Sequence, residues 1–417
     1  MPAKPGAIPP LRYLDVNLIE HEGREFFHLS DPFGYVEDGV LMPPPAFMLA
    51  ALFDGQRDPE TVCRIFREQF GVNARPEDVL GLAGQLSAAG LLADETFEIR
   101  RAAIDGAFRE SRIRPAWLAG RGYPAEPDAL RTWLTDQFQI GDGQGMPTDA
   151  VAGVRPPLRA LIAPHIDFAR GGPLYARAYR WLWEGEKPDL VLLFGVAHAA
   201  GEHPFVLCAK DFETPLGTVP VARDVMMRLE TACAWDPYAE EILHRTEHSL
   251  EFQVLMLALL YGHDAPPIVP VLCGMLTTPD LGEEAVPDDR SEVARFLDAA
   301  QSLMEDHPRA VAIAGADLSH VGRRFGDDLD ITPELVKRIV ASDENALNCL
   351  CEGDSAGFYR AVMRGGNPRH VCGMGAIYAT ARIIGNRPFR SDYLIGNAPD
   401  PAGGIVTFAA CAAERET

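Results

Sequence analysis

The chain has 417 residues, 47% of them apolar, with 38 Lys and Arg against 60 Asp and Glu for a net charge of −22. That length exceeds one ordinary core and predicts two or three domains, or one large α/β domain with an appendage, while the charge disfavours nucleic acid and anionic lipid as partners. An uncharged apolar run of about 18 residues that could span a bilayer is missing, and the start MPAKPGAIPPLRYLD lacks the apolar core of a signal peptide, so a cytoplasmic protein is expected.

Residues 1–110 read as a unit of their own. A β-rich opening, YLDVNLIEHEGREFFHLSDPFGYV, carries a turn signal at Glu22-Gly23 and stops at the PPP of Pro43 to Pro45. Three helical patterns follow: AFMLAALFDG; DPETVCRIFREQFG, with Pro59 in its first turn and Gly71 past its end; and PEDVLGLAGQLSAAGLL, closing at Gly90. This pattern resembles the small peptide-binding winged helices of the PqqD type. Ten Lys and Arg against eighteen Asp and Glu leave the unit at −8, so the DNA-binding role usual for winged helices lacks its basic face. Peptide or protein docking is the expectation, with a purely structural cap as the alternative.

From Ser111 the chain changes character, and residues 111–417 are read as an α/β domain with a mostly parallel sheet flanked by helices. RPAWLAGRGYPAEPDALRTWLTDQF predicts a turn at Tyr123-Pro124 and a helix with Leu130, Trp133 and Leu134 on one face. The glycine-rich IGDGQGMPTDAVAGV is expected to be an exposed loop. LRALIAPHIDF then reads as a strand ending near His165, followed by a helix from Pro173 and a buried strand, DLVLLFGVAH, ending on His198. Strand, helix and strand in this span form a βαβ unit, which places both carboxyl ends on one edge. Ligands bind at that edge in open α/β sheets.

HPFVLCAKDFETPLGTVPVARDV reads as an inserted hairpin with Gly217 at its turn. A helix from His248 to Tyr261 would place His248, Glu251 and Phe252 on one face, with Glu247, His248 and Glu251 as its polar start. A plain surface end explains those residues equally well. PIVPVLCGM is another buried strand, a helix from Ser291 to Glu305 follows, and RAVAIAGADLSHVG is expected to deliver Asp317 and His320 on a loop at a strand's carboxyl end. Helices over PELVKRIVASDENALNCL and DSAGFYRAVMRG precede HVCGMGAIYATARIIG, and GGIVTFAACAA completes the sheet.

The eight cysteines show no CxxC and no dense framework, and most read as small core residues. Cys372 differs, because it stands at a helix start beside Gly373, two residues after His370. Free N–H groups and the dipole there favour a thiolate, which can act as a metal ligand or as a nucleophile. His165, His198, Asp317, His320 and Cys372 therefore come from strand ends and one helix start, so at least three of the five are expected to share one site, and the two converging imidazoles make metal binding the natural chemistry there. Phe168 and Phe212 are expected in core packing, with a place in the pocket wall as the alternative. Asp167 either partners an imidazole or caps its loop.

In this order and spacing, APHIDF, GVAH, FETPLGTVPVARD, EHSLEFQ, ADLSH and VCGMGAI resemble the Memo family (mediator of cell motility) over residues 112–412. The resemblance implies the fold of the class III extradiol dioxygenases. It also implies metal binding by His165, His198 and Cys372, with Asp317 and His320 lining the pocket as catalytic residues, His320 as acid/base; His248 and Glu251 are further motif residues. Cys372 stands where ring-cleaving enzymes place a carboxylate, so iron or copper is expected, with zinc possible. A metal-dependent redox enzyme acting on a small-molecule or peptide substrate is the leading expectation. The family naming AmmeMemoRadiSam implies a radical-SAM protein as partner. The alternatives are a non-catalytic peptide- or metal-binding adaptor and a zinc or cysteine hydrolase.

Overall fold

The computed structural model describes residues 4, 6–37, 39–140, 145–199, 201–282, 285–400 and 402–415. The chain divides into two units, residues 1–110 and 111–417.

In the first unit, β1 (Asp15–His21) and β2 (Arg24–Ser30) form an antiparallel hairpin across Glu22-Gly23, and β3 (Val40–Met42) pairs with β2. The helices α2 (Pro59–Phe70) and α3 (Pro76–Ala88) follow their predicted patterns, whereas α1 (Pro44–Ala50) starts inside the PPP and closes at Ala50, short of the end predicted at Gly55. The start of α2 is set by Asp58, whose side chain accepts from Thr61 N at 2.8 Å, with Pro59 in the first turn. A fourth helix, α4 (Glu95–Glu110), was not anticipated, because it buries only Phe97 and Phe108 and carries a weak apolar stripe. All three strands precede the four helices. Leu29, Phe53, Val62, Phe66, Leu86 and Leu91 lie at the heart of a core separate from that of the second unit.

The second unit is α/β. A short β4 (Ile113–Arg114) is followed by α5 (Pro127–Gln137), which buries Leu130 and Leu134 as the spacing predicted. Of the glycine-rich stretch, residues 141–144 lie outside the described residues, and Asp149–Val151 forms a single 3-10 turn. Then come β5 (Leu158–Ala163), α6 (Phe168–Glu184), β6 (Leu190–Val196), β7 (Phe205–Leu207), β8 (Asp211–Thr214), β9 (Gly217–Val219) and α7 (Arg223–Ala232). The chain continues through α8 (His248–Tyr261), β10 (Ile268–Cys273), α9 (Ser291–Asp306), β11 (Ala310–Gly315) and β12 (Asp317–Gly322). It ends with α10 (Pro333–Cys351), α11 (Ser355–Met363), α12 (Met374–Ile383), β13 (Leu394–Asp400) and β14 (Gly404–Glu414).

The main sheet has the order β12-β14-β5-β11-β6-β10-β7, with β13 also paired to β14. It is mixed rather than mostly parallel. Only β5, β11, β6 and β10 run parallel, while β7, β12, β13 and β14 pair antiparallel at the two sides. The parallel strands are buried on both faces, which is why they read as unbroken apolar runs. β8 and β9 form the predicted hairpin, joined to β4 in a small separate sheet.

Two local expectations change. α6 begins at Phe168, not Pro173, because Asp167 caps it by accepting from Arg170 N at 3.1 Å; Pro173 lies inside the helix. Asp317 and His320 lie on a strand of their own, β12, rather than on a loop, because their polar side chains sit in a strand that pairs with β14.

The site edge is fixed by register. β11 lies between β5 and β6, with Ala314 opposite both Ile162 and Phe194, so the chain leaves β5 and β6 at one level. Helix α8 packs there with Ser249 to Leu260 all buried. Its start comes close because β6 and β11 offer glycines: a Cβ at Gly195 would stand 2.5 Å from Ser249 Oγ, and one at Gly315 2.3 Å from Ser249 O.

Candidate metal centre

His165 and His198 each lie two residues past a parallel strand, on one edge, and Cys372 lies two residues before α12. Ligand atoms of these three residues lie within 4.8 Å of one another. His165 Nε2 is 3.0 Å from Cys372 Sγ. His165 is buried, and the other two are partly exposed, so the cluster opens toward solvent on one side.

Each ring is held from behind. His198 Nδ1 stands 3.0 and 3.1 Å from the two carboxylate oxygens of Glu247, whose Oε2 also accepts from His198 N at 3.2 Å. A carboxylate only accepts, so Nδ1 carries the proton and Nε2 is left as the ligand atom. On His165, Nδ1 is 3.2 Å from His248 Nε2, which leaves Nε2 toward the thiol. Glu247 is buried, accepts from Ser249 N at 2.8 Å, and lies 3.3 Å from His248 Nδ1, so one carboxylate organises two imidazoles.

Asp317 ties the motifs together. Its Oδ1 accepts from His165 N at 2.8 Å, and its carbonyl accepts from Gly373 N at 3.2 Å. A Cβ at Gly373 would lie 2.4 Å from that carbonyl, so glycine is what lets Cys372 approach β12. His320 donates from Nδ1 to Leu318 O at 3.0 Å, which turns Nε2 toward chemistry.

Charge is shared across this cluster. Burial alone would raise the Cys372 thiol, but the imidazoles of His165 and His320 outweigh it and hold it well below its ordinary range. Burial likewise opposes the imidazolium of His320, yet the Cys372 thiolate and Asp317 push it up to about 9. The His198 imidazole is lifted against its burial by Glu247 and Cys372, and Glu247 is held low against its own burial by His198 and His248. His248 is driven down to about 3 by burial, with the neighbouring imidazoles adding to it. Burial raises the Asp317 carboxyl.

His165, His198, Asp317, His320 and Cys372 are thus brought together, with His248 behind them. Glu251 and Asp167 are not in the cluster. Glu251 is buried in the opposite direction, where it accepts from Leu118 N at 2.8 Å, Trp117 N at 3.2 Å, Tyr123 Oη at 2.5 Å and the Arg114 guanidinium. This removes the surface-end reading of the α8 start. Asp167 caps α6 and pairs with Arg170 at 2.6 Å. Phe168 and Phe212 are core residues, as expected. Sequence reasoning missed Glu247 as the partner of His198, although its place directly before His248 was a usable signal.

Two imidazole nitrogens and a low-lying thiol at this spacing, with a carboxylate behind one ring, form a donor set that suits a transition-metal ion. The structure therefore defines the second unit as an α/β domain with a His-His-Cys constellation at the edge of a mixed sheet. Residues 114–389 match the family model for Memo-like proteins, and the chain belongs to the Memo family. A MEMO1 family protein of Aquifex aeolicus is 25% identical over 383 residues, 91% of each chain, a span that reaches into residues 1–110. MEMO1 family proteins of Thermus thermophilus and Desulfurococcus amylolyticus are each 26% identical, covering 77% and 62% of this chain and 88% and 83% of their own. Among the described residues, no helix is long and apolar enough to cross a membrane.

Proposed function

We propose that this chain is a metal-dependent oxidoreductase in which His165, His198 and Cys372 hold iron or copper, with zinc as a competing ion, and His320 and Asp317 serve proton transfer. The geometry of His198 carries this reading. With Nδ1 committed to Glu247 at 3.0 Å, its only free nitrogen is the one shared with His165 and Cys372. A bound ion of this kind supplies electron transfer and Lewis acidity.

The chain's own residues do the rest. Glu247 fixes the tautomer of His198, His248 holds the His165 ring, and the Asp317 carboxylate anchors the His165 backbone. His320, tethered through its Nδ1 donation to Leu318 O, has Nε2 left to give or take a proton as general acid or base. A thiolate in place of a carboxylate is softer and more easily oxidised, so oxidation of a small or peptide-borne substrate fits better than ring cleavage. For residues 1–110, the net charge of −8 supports protein or peptide docking over phosphate contact. We assign a radical-SAM protein as the partner on the resemblance to AmmeMemoRadiSam systems.

Anaerobic purification with metal quantitation tests the centre. The wild-type chain should carry near-stoichiometric iron or copper and His198→Ala should lose it; undiminished occupancy in the variant overturns the coordination. A second reading rests on the lowered Cys372 thiol beside His320, which suits a nucleophile with its acid/base partner. Oxygen-insensitive esterase turnover by metal-free protein, lost in Cys372→Ser, would favour it.

A further inference from the structure

A cavity of about 330 Å³ lies between α10 and the end of α11, lined by Ser342 and Asn345 from α10, Arg364 at the close of α11, and Arg369 from the loop that leads to Cys372. Two small residues, Ala341 and Ala361, complete the lining, and no acidic side chain is among it. In a chain of net charge −22, two arginines lining one cavity stand out. Arg369 is only partly paired. Its Nε donates to Ser319 Oγ at 3.0 Å and lies 3.4 Å from Asp343, while its Nη2 is buried without a protein partner. Arginine is the side chain whose planar fork pairs bidentately with an oxyanion, and the Arg369 fork is only partly used by Ser319 and Asp343. Arg364 is exposed and adds a second positive charge that no carboxylate in the lining offsets. The Asn345 amide and the Ser342 hydroxyl, which now donates to Arg338 O at 2.8 Å, can turn to donate as well.

The same arginine touches the metal centre from behind. Its carbonyl accepts from His320 N at 2.7 Å, and its side chain holds Ser319, the residue before His320. Asp343 completes the link by accepting from Ser319 Oγ at 2.7 Å and Thr407 Oγ1 at 2.6 Å.

We propose that this cavity binds a small oxyanion, a phosphate- or carboxylate-bearing molecule held by Arg364 and Arg369, and that its occupancy is transmitted to His320 through Arg369. The site is distinct from the metal cluster and its binding step needs no metal.

Calorimetric titration of the full chain with inorganic phosphate and, separately, with succinate tests it. One of the two should bind saturably at a single site, and which one does identifies the source of the oxyanion. Arg364→Glu, at an exposed position outside the metal cluster, should weaken that binding roughly tenfold or more. In protein carrying ¹³C-labelled histidine, with the His320 signal assigned by His320→Gln, the anion should shift that signal in the wild-type chain and not in Arg364→Glu. The site is overturned if neither anion saturates or if Arg364→Glu binds undiminished. The coupling is overturned if binding leaves the His320 signal unmoved. Because both readouts use metal-free protein, either failure leaves the reading of the metal centre untouched.

Discussion

Cys372 owes its acidity to neighbours that exist without any ion. Burial works against the thiolate, and the imidazoles of His165 and His320 more than offset it. The sign follows directly: a depressed pKa keeps the thiolate populated as pH falls, so the reactive form persists below the ordinary value of about 8.5. In metal-stripped protein, iodoacetamide should therefore modify Cys372 readily at about pH 6, while Cys208, Cys273 and Cys411, whose thiols are buried and raised, stay unmodified. Peptide mass spectrometry across pH checks this, and a Cys372 rate that rises only above pH 8 or so would refute it. Glu247 gives a second prediction. Its carboxylate fixes the tautomer of His198, so Glu247→Gln should lower metal affinity by roughly 10- to 100-fold without unfolding the chain. Competition with a chelator of known affinity measures that loss, and an unchanged affinity would remove Glu247 from the design.

At the level of elements, what was legible followed local chemistry. Helices with a cap and a strong apolar stripe, such as α2 behind Asp58 and Pro59, could be read to within a residue or so. The buried parallel strands announced themselves as apolar runs, and their carboxyl ends gave His165 and His198. What stayed hidden depended on distant partners. β12 looked like a loop because DLSHVG has no strand pattern of its own, and its pairing partner β14 lies far along the chain. Glu251 looked like a site residue because its partner Arg114 is 137 positions away. That pair is wholly buried, and Arg114 also donates to His244 O at 2.8 Å and Glu247 O at 2.7 Å, so it braces the start of α8. Glu251→Ala would leave a guanidinium buried without its counter-charge and should cost about 3–5 kcal/mol. Arg114→Met with Glu251→Leu should recover part of that loss. Urea unfolding of the two variants decides; Glu251→Ala as stable as the wild type would show the pair to be dispensable.

For the whole molecule, the division at Glu110 sets how the chain should unfold. Residues 1–110 bury their own apolar cluster around Leu29, Phe53 and Val62, and residues 111–417 bury another around the parallel strands. All members of the His-His-Cys constellation, together with Glu247, His248, Asp317 and His320, belong to the second unit. A domain with its own core can fold alone, so residues 111–417 should express as a folded protein with the metal content of the full chain. Metal that binds only the native state raises stability by mass action, and here it can act on one unit alone. Calorimetry of the full chain should accordingly show two transitions, with added metal moving only the one that the isolated 111–417 fragment reproduces. A single transition that metal shifts as a whole, or a 111–417 fragment that folds but binds no metal, would mean that residues 1–110 are needed to complete the site.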